Sequence, residues 1–329
     1  MVLPELLQPY VRDGYHRKII ELSAYYDEQE GILHFLTGRY PFAGEGDQAA
    51  DPDAKNVSME FVDYSPETGE WSKRDEGGDY GIVGGGGISF AFPAMTRTGR
   101  LVVPGCGTIF DGDGKAVHVG TCWAPVNFSF LWIKDPSTPW RPGRPLPNVE
   151  SSTRGFSEHA VIQLEDGRLA TVLRGSNDSL EDLYEGYKWI AFSNDDGETW
   201  TTPAPWQYSD GQPIVSSSTG CALFRSEKNG RIYWIGNLCR PGEHAHGNWP
   251  RSPLWIGEVD EKTCTLMRNS LRTIDERHSD DGPTTQLSNF KFYQERPSGD
   301  VILFVSRLGE RDEEKWFDAD TWQYRITLG

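Results

Sequence analysis

Leu164-Glu165-Asp166-Gly167-Arg168-Leu169-Ala170-Thr171-Val172-Leu173 is a polar turn centred on a glycine, followed by an alternating run of apolar and β-branched residues. Glycine takes the positive φ of a tight turn without steric cost, so the stretch predicts a β-hairpin with its apex at Gly167. Four other stretches share the pattern: EQEGILHFL from Glu28, TRTGRLVVP from Thr96, EKNGRIYWI from Glu227 and PSGDVILFV from Pro297. Their apex glycines, Gly31, Gly99, Gly167, Gly230 and Gly299, stand 68, 68, 63 and 69 residues apart. A second turn falls between successive hairpins. Its fullest copy is Ser193-Asn194-Asp195-Asp196-Gly197-Glu198-Thr199-Trp200, and partial copies run from Ser65 to Trp71 and from Asp135 to Trp140. Two hairpins per repeat give four antiparallel strands, which is the blade of a β-propeller.

Composition supports an all-β reading. Gly 36, Pro 21 and 12% aromatic residues in 329 suit short strands joined by tight turns. Helical periodicity is confined to Leu3–Val11, where Pro4 and Pro9 limit it. A single domain over 1–329 is expected, with six blades. Five come from the glycine hairpins, and the sixth pairs Met1 to about Gly14 with about Gly309 to Gly329, because closure removes exposed sheet edges. A five-bladed ring is the alternative, and holds if the termini form no blade of their own.

Charge narrows the partners. Lys+Arg 32 against Asp+Glu 49 leaves a net charge of −17, which repels polyphosphate and anionic membrane, so neither is an expected partner. The chain has no 18-residue apolar run. Cys106, Cys122, Cys221, Cys239 and Cys264 are odd in number and scattered, as expected of reduced thiols. The opening MVLPELLQPYVRDG lacks a basic start and a long apolar core, so a cytoplasmic protein is expected, or a secreted or periplasmic one where a leader has been removed.

The Ser193–Trp200 turn matches S-x-D-x-G-x-T-W at every fixed position and resembles the Asp-box, or BNR repeat, of the sialidase superfamily. Turn chemistry explains the motif: Ser193 and Asp195 accept backbone N–H bonds, Gly197 takes the left-handed conformation, and Trp200 packs beneath. The resemblance continues through Gly85-Gly86-Gly87-Ile88 and Gly99-Arg100-Leu101-Val102-Val103-Pro104, then Ser157-Glu158-His159-Ala160 and Arg174. Gly84 to Gly87 lack the Lys-Ser/Thr and helix of a phosphate-binding loop.

By this resemblance Glu158 is the catalytic glutamate, and three arginines grip a substrate carboxylate. A guanidinium is always charged and forks onto two oxygens, which suits that task. Arg174 would be the second arginine, Arg251 the third and Arg17 the first, with Arg39 as substitute. Strand geometry is consistent: a strand running in from Glu158, turning at Gly167 and returning to Leu173 brings Glu158 and Arg174 to one rim. The resemblance places a general acid in the loop from Tyr40 to Asn56, which holds Glu45, Asp47, Asp51 and Asp53. Asp47, following a Gly-Glu-Gly turn, is the choice.

The chain departs from the family at the nucleophile. Leu287-Ser288-Asn289-Phe290 stands where a tyrosine-led stretch is expected, and Leu287 cannot attack an anomeric carbon. Tyr293 and Tyr184 are the substitutes. His159 offers an imidazole base near neutral pH. Related propellers include lyases of uronic acids, in which such a base would take the C5 proton. His244 and His246 alternate in the loop before Arg251 and are expected to contact substrate; no third metal ligand accompanies them. Trp249 and Trp123 are candidate sugar-stacking platforms. The expected activity is a sialidase-like exo-glycoside hydrolase acting on a terminal acidic sugar, with no metal and no cofactor. The alternatives are a uronate lyase using His159, or a non-catalytic glycan-binding propeller.

Overall fold

The computed structural model describes residues 7–12, 14–42, 58–75, 87–88, 92–122, 124–136, 138–312 and 314–329. Asp47, with Glu45, Asp51 and Asp53, lies outside the described residues, as do Gly84 to Gly86 and Trp123.

The period-2 stretches of the sequence form five antiparallel sheets. The first runs β1 (Tyr10–Arg12), β2 (Tyr15–Asp27), β3 (Ile32–Phe42), β4 (Ser58–Tyr64) and β5 (Trp71–Asp75), in that spatial order. In the second, β6 (Gly87–Ile88) and β7 (Ala94–Met95) both pair with β8 (Leu101–Thr108), followed by β9 (Asn127–Lys134) and β10 (Arg141–Pro142). The third is β11 (Ser157–Gln163), β12 (Leu169–Arg174), β13 (Lys188–Ser193) and β14 (Ala204–Pro205). The fourth is β15 (Cys221–Arg225), β16 (Ile232–Asn237) and β17 (Leu254–Asp260), with β18 (Thr265–Leu266) and β19 (Arg272–Asp275) both on β17. The fifth is β20 (Lys291–Gln294), β21 (Val301–Ser306) and β22 (Thr321–Ile326).

The molecule is therefore a five-bladed β-propeller, and the expected sixth blade is absent among the described residues. The two ends of the chain are taken up by existing sheets. β1 pairs with β2, Tyr10 opposite Arg17, and β22 pairs with β21, Val301 opposite Ile326. Each of these strands adds to an existing sheet as its edge strand, so the described parts of the two ends do not pair into a sheet of their own.

Alternation along the strands builds the core between the blades. On β8, Leu101 and Val103 face the first blade and pack with Leu36, Met59 and Phe61, whereas Val102 faces the third blade and packs with Val161 and Leu169. On β16, Trp234 packs with Val172 and Ile190 of the third blade, and Ile235 with Leu303 and Val305 of the fifth. One strand thus serves two interfaces, which is why these strands read as continuous apolar runs.

All five hairpin glycines have positive φ, from 67° at Gly31 to 94° at Gly167. The turn after β13 is tied as its residue types require. Gly197 N donates to Ser193 Oγ at 2.8 Å, Thr199 N to Asp195 Oδ1 at 2.9 Å and Thr199 Oγ1 to Asp195 Oδ2 at 2.6 Å. Trp200 packs against Leu169 and Trp189 beneath it. These turns lie at one end of the blades. The connections after β8, β12, β16 and β21 emerge at the other end, the mouth. No helix among the described residues is long and apolar enough to cross a membrane.

Candidate functional site at the mouth of the third and fourth blades

A β-bulge sets the first group. Ser157 opposes Arg174, but the next pair is Ala160 with Val172, so β11 carries one extra residue at Glu158 and His159. Glu158 has φ +40°, a region that costs a non-glycine residue on the order of 1 kcal/mol. This local twist aims the carboxylate at its neighbour, and Glu158 Oε1 lies 2.5 Å from Arg174 Nη1.

Three further cations converge there. Arg251, in the connection between β16 and β17, donates from Nη1 to Gln286 Oε1 at 3.1 Å and from Nη2 to the Ser218 carbonyl at 2.9 Å. Asn248 Oδ1 accepts from Arg174 Nη2 and Arg251 Nη2, both at 3.1 Å, and so bridges guanidinium groups from two blades. Lys188, opposite Arg174 on β13, is buried and donates from Nζ to the Thr219 carbonyl and to Thr219 Oγ1. Arg154, just before β11, pairs with Asp178.

The electrostatics show strong coupling. Burial pushes the Glu158 carboxyl upward, but Arg174, Arg251 and Lys188 outweigh it and hold the group below the usual glutamate range. Glu158 is thus an anion, unsuited to donate a proton at neutral pH. Burial, reinforced by Arg174 and Arg154, brings Arg251 down to about 10. Burial also brings Lys188 down to about 8, with Arg174 and Arg251 adding to the effect. Among the described residues, four cations gather around Glu158 and Asp178, with Glu181 beside the latter.

The other expected site residues fall elsewhere. His159 is 1% exposed, its Nδ1 2.9 Å from Thr171 Oγ1 and its Nε2 within 3.2 Å of the Gly105 and Phe130 carbonyls. Both nitrogens are engaged inside the blade packing, and burial lowers its pKa to about 4. This corrects the expectation of a base at the mouth: the bulge that turns Glu158 outward turns His159 inward. Arg17 is buried on β2, where it opposes Tyr10 and Pro41. Arg39 is ion-paired with buried Glu60 and lies over the Tyr10 ring, 4.8 Å from its centroid. The guanidinium that joins Arg174 in acting on Arg251 is that of Arg154.

His244 is exposed and bonded to Glu185, Nδ1 to Oε2 at 2.7 Å. His246 is exposed, and its backbone exchanges two hydrogen bonds with Trp249. Trp249 is 36% exposed and meets Trp316 edge-on at 6.1 Å. Leu287 is fully buried in the core between the fourth and fifth blades, while its N–H donates to the Arg251 carbonyl at 2.8 Å. Tyr293 is half-exposed on β20 beside Phe304. Tyr184 lies beside Glu150, and burial together with that charge raises its pKa.

Sequence reasoning missed Lys188, Arg154, Asp178 and Asn248. Lys188 had a usable signal, a lysine opening the apolar strand Lys188-Trp189-Ile190-Ala191-Phe192. The others are polar loop residues of ordinary appearance.

No protein-family model and no curated protein matches the chain. Solved structures do. A protein of unknown function from Dyadobacter fermentans is similar with TM-score 0.58 at 14% identity over 97% of this chain and 85% of that one. The NanB sialidase of Streptococcus pneumoniae is similar with TM-score 0.59 at 12% identity, over 95% of this chain but only 56% of the sialidase. RS223 β-xylosidase has TM-score 0.51 at 12% identity over 98% of this chain and 96% of the xylosidase. Likeness at this identity establishes the propeller fold.

Proposed function

We propose that the chain is a glycoside hydrolase that acts on a terminal acidic sugar held at the mouth of the third and fourth blades. The carrying observation is the gathering of positive charge around one ionised carboxylate among the described residues. Among the described residues, Arg154, Arg174, Arg251 and Lys188 gather around Glu158 and Asp178, with Glu181 beside Asp178. An anionic ligand of sialic or uronic acid type would supply the missing negative charge, with Arg174 and Arg251 as the grip. Similarity in fold to a sialidase and a β-xylosidase supports glycosidic chemistry. In this reading Glu158, kept deprotonated, takes a proton from the attacking nucleophile. With Leu287 buried at the family's tyrosine position, that nucleophile is water. Asp47 is the proposed proton donor to the leaving group, and Trp249 and His246 line the approach.

The test is a panel of aryl glycosides of sialic acid, glucuronic acid, xylose and rhamnose, read by release of the aryl group. A parallel ultraviolet scan detects unsaturated uronate. Hydrolysis of an acidic glycoside without absorbance gain, lost in Glu158→Gln and in Arg251→Ala, is expected. Binding of the acidic sugars without turnover would make the chain a glycan-binding propeller, the outcome that Leu287 favours. Equal handling of neutral and acidic glycosides would overturn the assignment.

A further inference from the structure

The first blade carries a second cluster, at the turn end of the hairpin formed by β2 and β3 and away from Glu158. His34, on β3, opposes Tyr25 on β2 and Asp63 on β4. Its side chain is 1% exposed, and Nδ1 lies 2.7 Å from Asp63 Oδ1. With Nδ1–H donated to that carboxylate, Nε2 is the nitrogen that would bind a ligand. Nε2 is buried and has no hydrogen-bond partner.

Two carboxylates stand in front of that nitrogen. Glu30 Oε2 is 3.7 Å away, and one donor atom from each of Asp27, Glu30 and His34 lies within 4.8 Å of the others. Asp27 Oδ1 accepts the N–H groups of Gln29 at 2.9 Å and Glu30 at 3.1 Å, which steadies the turn and leaves Oδ2 for another partner. Donors bound at about 2.0–2.2 Å to one ion are at most about 4.4 Å apart. The three donor atoms, all within 4.8 Å of one another, are already close to that range, and the Glu30 side chain is 41% exposed. Lys134 Nζ of the second blade is 4.0 Å from Glu30 Oε1, so a bound ion would share that carboxylate with a neighbouring cation.

We propose that Asp27, Glu30 and His34 bind a divalent transition-metal ion of the Zn2+ type, with Asp63 orienting the imidazole from behind. Imidazole plus two carboxylates favours Zn2+ over Ca2+. The ion would brace the first hairpin and takes no part in the chemistry at the mouth.

The test is calorimetric titration of the full chain, stripped with chelator, with Zn2+ alone and with Ca2+ alone. One Zn2+ site is expected, with binding at least tenfold weaker in Glu30→Gln and 10- to 100-fold weaker in Asp63→Asn. A Zn2+-dependent rise in melting temperature should vanish in Glu30→Gln, an exposed change that leaves the metal-free fold intact by circular dichroism. Co2+ should give a visible ligand-field band that His34→Gln removes, while a chain carrying His244→Ala and His246→Ala keeps it. No Zn2+ uptake, uptake unchanged by Glu30→Gln and His34→Gln, or equal binding of Ca2+ would each overturn the proposal. Retained metal binding in a chain inactive on every glycoside leaves it standing, since it is independent of the mouth.

Discussion

Arginine–carboxylate pairs occupy both ends of the second and third blades, but they are balanced at one end only. At the turn end, Arg100 and Arg141 face Asp135 and Glu198: Arg100 Nε meets Asp135 Oδ1 at 2.5 Å, and Arg141 Nη1 meets Glu198 Oε2 at 3.1 Å. Two cations meet two anions, partly in solvent, and the group is electrically complete. At the mouth, among the described residues, four largely buried cations gather around Glu158 and Asp178, with Glu181 beside the latter. Burial is the main cause that lowers the pKa values of Arg251 and Lys188, and the neighbouring guanidinium groups add to it. A buried imbalance of charge is unfavourable for folding alone and is a mark of a site prepared for a ligand of opposite sign.

The largest expected contrast comes from truncating one arginine at each end. Arg174→Ala leaves Glu158 without its 2.5 Å partner, and loss of one partner of a buried charge pair costs about 2–5 kcal/mol. Because Arg174 is also the proposed grip on the substrate carboxylate, loss of a charge-assisted contact of about 2 kcal/mol should lower kcat/KM for the acidic glycoside by about 30-fold. Arg141→Ala should leave turnover unchanged. Similar kinetic losses in both variants would erase the distinction.

A second contrast concerns His159, which the bulge separates from Glu158. Its folded pKa of about 4 is below its ordinary 6.5. Between those values the unfolded chain binds the proton and the folded chain does not, so stability is full above pH 6.5 and lost as pH falls toward 4. The loss amounts to about 3 kcal/mol. Urea denaturation at pH 7 and pH 4.5 should show it, and His159→Gln should flatten the dependence. A base acting on substrate would instead appear as a neutral limb in the rate profile.

Lys188 sharpens the reading of the surplus itself. With its pKa near 8, the mouth loses a positive charge above that pH. KM for an acidic glycoside should therefore rise several-fold between pH 7 and pH 9.5, while a neutral aryl glycoside shows no such change. Lys188→Met should abolish the alkaline limb.

The smallest effect belongs to the balanced end. Arg141→Ala should lower stability by no more than about 1 kcal/mol, and less in 0.5 M salt, because partly exposed pairs are screened. A larger, salt-independent loss in thermal melts would mean that this end is as tightly coupled as the mouth.

The blades were legible because turns and alternation are local. Gly167, the Ser193–Trp200 turn and the two-sided apolar strand β8 each state their conformation within a few residues. Glu158, Arg174 and Arg251 could be proposed from order along the chain, and the structure brings all three together. Blade number was not legible, because whether Tyr10–Arg12 and Thr321–Ile326 make a sheet of their own depends on which edges they meet. The inward turn of His159 was hidden for a similar reason: one extra residue in a register reverses a side chain, and no composition records it.

The sequence alone determined an all-β repeat of glycine-apex hairpins, an acidic surface and the absence of a tyrosine at Leu287. Those are properties of neighbouring residues and of sums over the chain. Tertiary structure decided that five sheets suffice, that Arg154 and Lys188 join Arg174 and Arg251, and that His34 faces Asp27 and Glu30. These depend on distances between side chains from different strands and blades, and such distances exist only once the blades have packed.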